Sequence, residues 1–177
     1  MIVRFAILCF SVSLLACGDA QTPAPAAELT PAQHLARISS LRDGLFDADM
    51  NTDTARAYPY VRAVEAFAYA YPEHDSVPEQ LMQASGIANG TNWGNKSIQL
   101  WGQVWRKHPD HPRAPEAMFY QAFVMDTKYE DYPLATQYYD LVIKTYPEHP
   151  LADQATQLRE VTARGGALPP VPKAPGN

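Results

Sequence analysis

The chain has 177 residues, of which 46% are hydrophobic and 11% aromatic, enough apolar material for one compact domain and too little for several. The formal charge of −5, or −6 once the segment holding Arg4 is removed, describes a mildly acidic surface and argues against nucleic acid as a partner.

The N-terminus reads as an export signal, Arg4 followed by an apolar run from Phe5 to Ala16 that is too short to span a bilayer permanently. Its end, Leu14-Leu15-Ala16-Cys17, resembles the bacterial lipobox, in which the cysteine is acylated and becomes the first residue of the mature chain. The resemblance implies a signal peptide over residues 1–16, lipidation at Cys17, and stable anchoring, because several acyl chains hold where one is marginal. An ordinary export signal that happens to contain a cysteine is the competing reading. Gly18 rather than Asp after the cysteine implies the outer membrane of a bacterial envelope, facing the periplasm. Cys9 is then removed and Cys17 consumed, leaving no thiol for a disulfide, thiolate catalysis or a metal. The small and proline-containing stretch that follows makes residues 17–29 a flexible tether.

From residue 30 to 164 the patterning is helical. Thr30, Pro31 and Gln33 carry the grammar of a capping box, and Leu35, Ile38, Leu41 and Leu45 recur at spacings of three and four. The spacing predicts helices over Thr30–Asp47, Thr54–Tyr71, Val77–Ala88, Lys96–His108, Ala114–Thr127, Tyr132–Tyr146 and Leu151 to about Arg164. No stretch alternates at period two, so no sheet is expected. Gln154, Gln157, Arg159 and Glu160 make the last helix polar enough to close an array. Residues 165–177, with one short Pro-Pro-Val-Pro run, read as a disordered tail.

One phrase recurs. "YPEHDSVPEQLMQ" from Tyr71, "HPDHPRAPEAMF" from His108 and "YPEHPLADQATQ" from Tyr146 place their lead prolines 37 and 38 residues apart. Before them stand three sets with gaps of four, three and five: Tyr60, Val64, Phe67, Pro72; Ser97, Trp101, Val104, Pro109; and Ala135, Tyr139, Val142, Pro147. Gaps of four and three keep side chains on one helix face, and the proline ends the helix by denying its predecessor the helical conformation. Each set is thus the second helix of a hairpin.

These sets, with Ala117, Ala122 and Met125 as packing positions of a first helix, resemble the tetratricopeptide repeat family. Gln121 stands where that family usually has Leu, and Tyr60 and Ser97 where it has a smaller residue. The Tyr-Pro helix ends and the "APEA" helix start resemble the family's envelope lipoproteins. The resemblance implies an all-α fold: a right-handed superhelical stack of about three hairpins with a C-terminal capping helix. It also implies a non-enzymatic scaffold that binds a protein or peptide, with a role in outer-membrane assembly or envelope maintenance.

The residues offer little chemistry. His74, His111 and His149 occupy equivalent turns, so each imidazole is expected about one repeat from the next, too far to share a metal. With their Asp or Glu neighbours they read as polar caps for the helix after each turn, and their replacement should leave the melting midpoint nearly unchanged. The His108–His111 cluster, "HPDH", is the one place where a surface metal or an enzyme site is worth weighing, and it lacks a third ligand. The carboxylates Asp126, Glu130 and Asp131 read as a polar turn, since nothing sets one apart from another in burial. No phosphate loop, nucleophile elbow or zinc-protease helix is present, so neither catalytic residue, cofactor nor metal is expected. Trp93, in an Asn- and Gly-rich turn, either folds on its own hairpin or meets a partner.

In the family this chain resembles, partners meet the first helices of the hairpins. That places a groove along Glu116, Phe119, Phe123 and Asp126 on one first helix and Glu79, Met82, Gly86 and Asn89 on the preceding one. The competing view makes Phe119 and Phe123 core. A self-associating structural subunit is the other alternative to a recruiting scaffold.

Overall fold

The computed structural model of the chain describes residues 28–46, 52–91 and 93–165. The signal segment, Cys17, the tether up to Ala27 and all of the tail beyond Gly165 lie outside the described residues. Among those described there are seven α-helices and no strand: α1 (Pro31–Arg42), α2 (Thr54–Ala70), α3 (Val77–Gly90), α4 (Gly94–Lys107), α5 (Ala114–Thr127), α6 (Tyr132–Thr145) and α7 (Pro150–Thr162). None is long and apolar enough to cross a membrane.

Local signals set most helix starts. Thr30 and Gln33 exchange capping-box bonds at α1, the Asp53 side chain accepts from Ala55 and Arg56 N–H at α2, and Asp131 accepts from Leu134 N–H at α6. Several boundaries differ from the sequence reading; α3 runs two residues past Ala88, to Gly90. α1 ends at Arg42, five residues before Asp47, because Gly44 adopts φ +76° and turns the chain. Leu45 is nevertheless fully buried, carried inward by that turn rather than by the helix. α4 begins two residues before Lys96, at Gly94, which is packed under the Lys128 and Tyr129 side chains.

The three second helices end alike. Tyr71, His108 and Tyr146, each before a proline, sit at φ −136°, −130° and −128° with ψ 63°, 57° and 56°. Their N–H groups close the helix onto Phe67, Val104 and Val142, as the excluded helical conformation before proline requires. The nine apolar and small residues of the three sets line the core, none more than 4% exposed.

Substantial contacts join each helix to the next in the chain, with a further contact between α5 and α7. Two core clusters result, one built chiefly on Ile38, Tyr60, Val64, Phe67, Leu81, Leu100 and Trp101, the other on Met118, Phe119, Ala135, Tyr139, Val142 and Ala155. Trp105 and Ile98 touch both, so the clusters are continuous through α4. Gln121 is buried at 3% exposure and accepts a 2.7 Å bond from Trp105 Nε1, so a polar residue at this packing position is satisfied there. α7 buries Ala152, Ala155 and Thr162 and turns Gln154, Gln157 and Glu160 outward.

Candidate functional site

The odd-numbered helices are tied together by polar contacts. Arg42 Nη1 of α1 donates to Gln83 Oε1 of α3 at 3.2 Å, and Arg113, just before α5, reaches Glu79 of α3 at 3.1 Å and Glu116 at 2.8 Å. Burial works against the charge on Arg113, and the bonds and charges of Glu116 and Glu79 more than offset it, so the guanidinium stays charged. Asp126 at the end of α5 accepts from Thr162 Oγ1 of α7 at 2.8 Å and from Tyr139 Oη at 3.3 Å.

Beside the Arg42 and Arg113 ties lies a cavity of about 330 Å³, walled by Leu45, Phe46, Met82 and Ile87 and edged by Arg42, Gln83 and Arg113. Its floor is Tyr60, fully buried, whose hydroxyl finds no hydrogen-bond partner. Burial chiefly pushes this phenol up, Arg42 pulls it down and Glu79 adds to the rise, so the hydroxyl keeps its proton and is a hydrogen-bond donor at neutral pH. A Cβ placed on Gly86 would meet nothing within 4 Å, so the cavity opens at that point of α3.

The eight groove residues divide. Met82 and Gly86 line this cavity, and Glu79 and Glu116 share Arg113 at its edge. Asn89 is half-buried and its carbonyl oxygen accepts from Lys128. Phe119 belongs to the core at 6% exposure, 5.9 Å from the Tyr139 ring, so it offers no free anchor. Phe123 is 40% exposed and stacks over Phe119 at 6.3 Å. Asp126 is committed to α6 and α7. The structure therefore brings four of the eight together and leaves Phe123 apart from them.

Arg42, Tyr60 and Arg113 escaped the sequence reading as site residues. Tyr60 carried a signal: the two later sets place Ser97 and Ala135 at its position. A bulky phenol at a small-residue position is the anomaly that marks the cavity floor.

The turn histidines do specific work. His74, His111 and His149 each accept, through Nδ1, the backbone N–H two residues on, at 3.1, 3.2 and 3.2 Å. These bonds fix the approach to α3, α5 and α7, as polar caps do, and they weigh against the expected dispensability of the three side chains. Glu73, His74, Lys107, His108, Asp110 and His111 line one open cleft of about 530 Å³ between consecutive turns. Burial, as the largest influence, lowers the His108 pKa below its ordinary value. No group of three or more His, Cys, Asp or Glu among the described residues is placed to hold a metal ion.

Trp93 packs against Tyr58 of α2 at 4.5 Å, with Arg62 and Lys96 each 5.5 Å from its ring. It joins its hairpin to the preceding one. Lys96 also pairs with Glu65 of α2 at 2.7 Å.

No protein-family model matches the chain, and neither a curated protein nor a solved structure matches it significantly.

Proposed function

We propose that the chain is a tetratricopeptide-like scaffold, anchored at Cys17 to a periplasm-facing membrane of a bacterial envelope, that recruits another protein without catalysing a reaction. The single observation that supports it most is the threefold recurrence of one helix stop. The same cap conformation, proline and histidine Nδ1 bond return every 37 or 38 residues. Helical hairpins repeated at such an interval stack into arrays whose open face is a binding surface. On this reading the hairpins form a right-handed superhelix, the α1–α3–α5 face carries the partner, and outer-membrane assembly or envelope maintenance is the process served.

The surface chemistry is that of binding. The polar groups of the cavity, Arg42, Arg113, Gln83 and the Tyr60 hydroxyl, offer hydrogen-bond donors to a bound group. Membrane fractionation in high salt tests the anchor: the wild-type chain is expected in the membrane fraction and Cys17→Ser in the soluble one. Retention of processed Cys17→Ser in the membrane would overturn the lipid anchor. Crosslinking in intact envelopes tests the scaffold, with one foreign protein expected at stoichiometric yield. Crosslinks between copies of this chain alone would favour a self-associating subunit.

A further inference from the structure

We infer that the cavity above Tyr60 binds a singly charged organic anion with a short apolar body, its head accepting from the Tyr60 hydroxyl and the Arg42 guanidinium. The inference holds whether or not the array recruits a protein. A cavity of about 330 Å³ falls at the small end of ligand pockets, and its lining has the usual character, mostly apolar walls with a few convergent polar groups.

Three observations fix the chemistry. The first is the orphaned hydroxyl. Tyr60 is fully buried, and its oxygen is shielded from solvent with no partner in the protein, a costly arrangement unless something supplies an acceptor. The second is charge. Arg42 and Arg113 both border the cavity, but Arg113 is already held by Glu79 and Glu116. Among the described residues Arg42 has only the neutral Gln83 as polar partner. A cation whose described polar partner is neutral suits a head of one negative charge. The third is shape. Leu45, Met82 and Ile87 supply apolar wall, and the open space at Gly86 admits the body. The hydroxyl is shielded from solvent, so the head reaches it only as the side chains over it move aside.

A carboxylate on an apolar body has this chemistry, as a free small acid or at the end of a peptide. Met82 lies in the wall, so its ¹³C-labelled methyl signal in the full chain reports occupancy. The probes are 4-phenylbutyrate, its uncharged amide, and an acetylated tripeptide ending in Phe with a free carboxylate. The acid is expected to shift the Met82 signal saturably and to bind at least tenfold more tightly than the amide. Arg42→Gln and Tyr60→Phe should each remove most of that preference while leaving the amide unchanged. Gly86→Leu should abolish both. A tripeptide that binds tenfold more tightly than the acid assigns the site to chain ends; one that binds more weakly assigns it to free acids. Tyr60→Phe also has a readout without ligand: removing an orphaned hydroxyl should leave the melting temperature unchanged or raise it. Equal binding of acid and amide, no response at Met82 to any probe, or a melting temperature several degrees lower in Tyr60→Phe would overturn the inference.

Discussion

Phe119 and Phe123 stack on each other yet do different work. Phe119 is enclosed by Met118, Ala122 and Tyr139, whereas Phe123 keeps two-fifths of its surface in water. Spacing alone put both on one strip, because periodicity places a side chain on a helix face but does not say how far the neighbouring helix covers that face. Phe119→Ser should therefore cost on the order of 3 kcal/mol or more in urea unfolding. Phe123→Ser should stay within about 0.5 kcal/mol of wild type. Tyr139 is legible in the repeat, but its partner is not. Burial, with the Asp126 carboxylate beside it, holds this phenol well above its ordinary value of 10.0. The fold thus favours the neutral form. Its contribution is fully present below pH 10 and is lost as pH rises above that value into the range of the raised pKa. The urea midpoint should fall less steeply above pH 10 in Tyr139→Phe than in wild type. Equal slopes would show that the raised phenol is not what weakens the fold there.

At the scale of elements, the helices were readable because their stops and stripes coincide: each stripe of buried residues runs into a proline five residues after its last member. The end of α1 was not. An apolar residue at position 45 continues the helical spacing, and the Asp43-Gly44 pair that breaks it was outweighed by that continuity. The turns held more than their sequence displayed. Proline announces a stop, but only the coordinates place Nδ1 of each histidine 3.1–3.2 Å from a backbone N–H. Removing all three acceptors strands three helix-start N–H groups, at about 1 kcal/mol each. His74→Ala with His111→Ala and His149→Ala should lower stability by about 3 kcal/mol. The corresponding triple Asn variant, whose side-chain oxygen also accepts two residues on, should recover most of it. An unchanged midpoint in the Ala variant would return these residues to the role of filler.

For the whole molecule, nearest-neighbour contacts explain why repeats were a better guide than composition. Each hairpin buries its stripe against the next, so the recurring sets map directly onto one core continuous through α4. The candidate site was only half legible for the same reason. Glu79, Met82, Gly86 and Glu116 fall on the expected first-helix face, but Arg42, Tyr60 and Arg113 come from the end of α1, from α2 and from a turn. No pattern within one helix brings those together; the packing of neighbouring helices does. If the α1–α3–α5 face recruits a protein, as proposed, Gly86 is the position where a substitution tests it most directly. A Cβ there meets nothing within 4 Å, so Gly86→Trp is the bulky substitution expected to block the face and spare the core. The deciding measurement is quantitative crosslinking of wild type and Gly86→Trp in intact envelopes, with thermal melting of both. We predict one foreign protein captured at stoichiometric yield by wild type and at less than a tenth of that by Gly86→Trp, with equal melting temperatures. Undiminished capture by a folded Gly86→Trp, or no foreign protein captured by wild type, would contradict it.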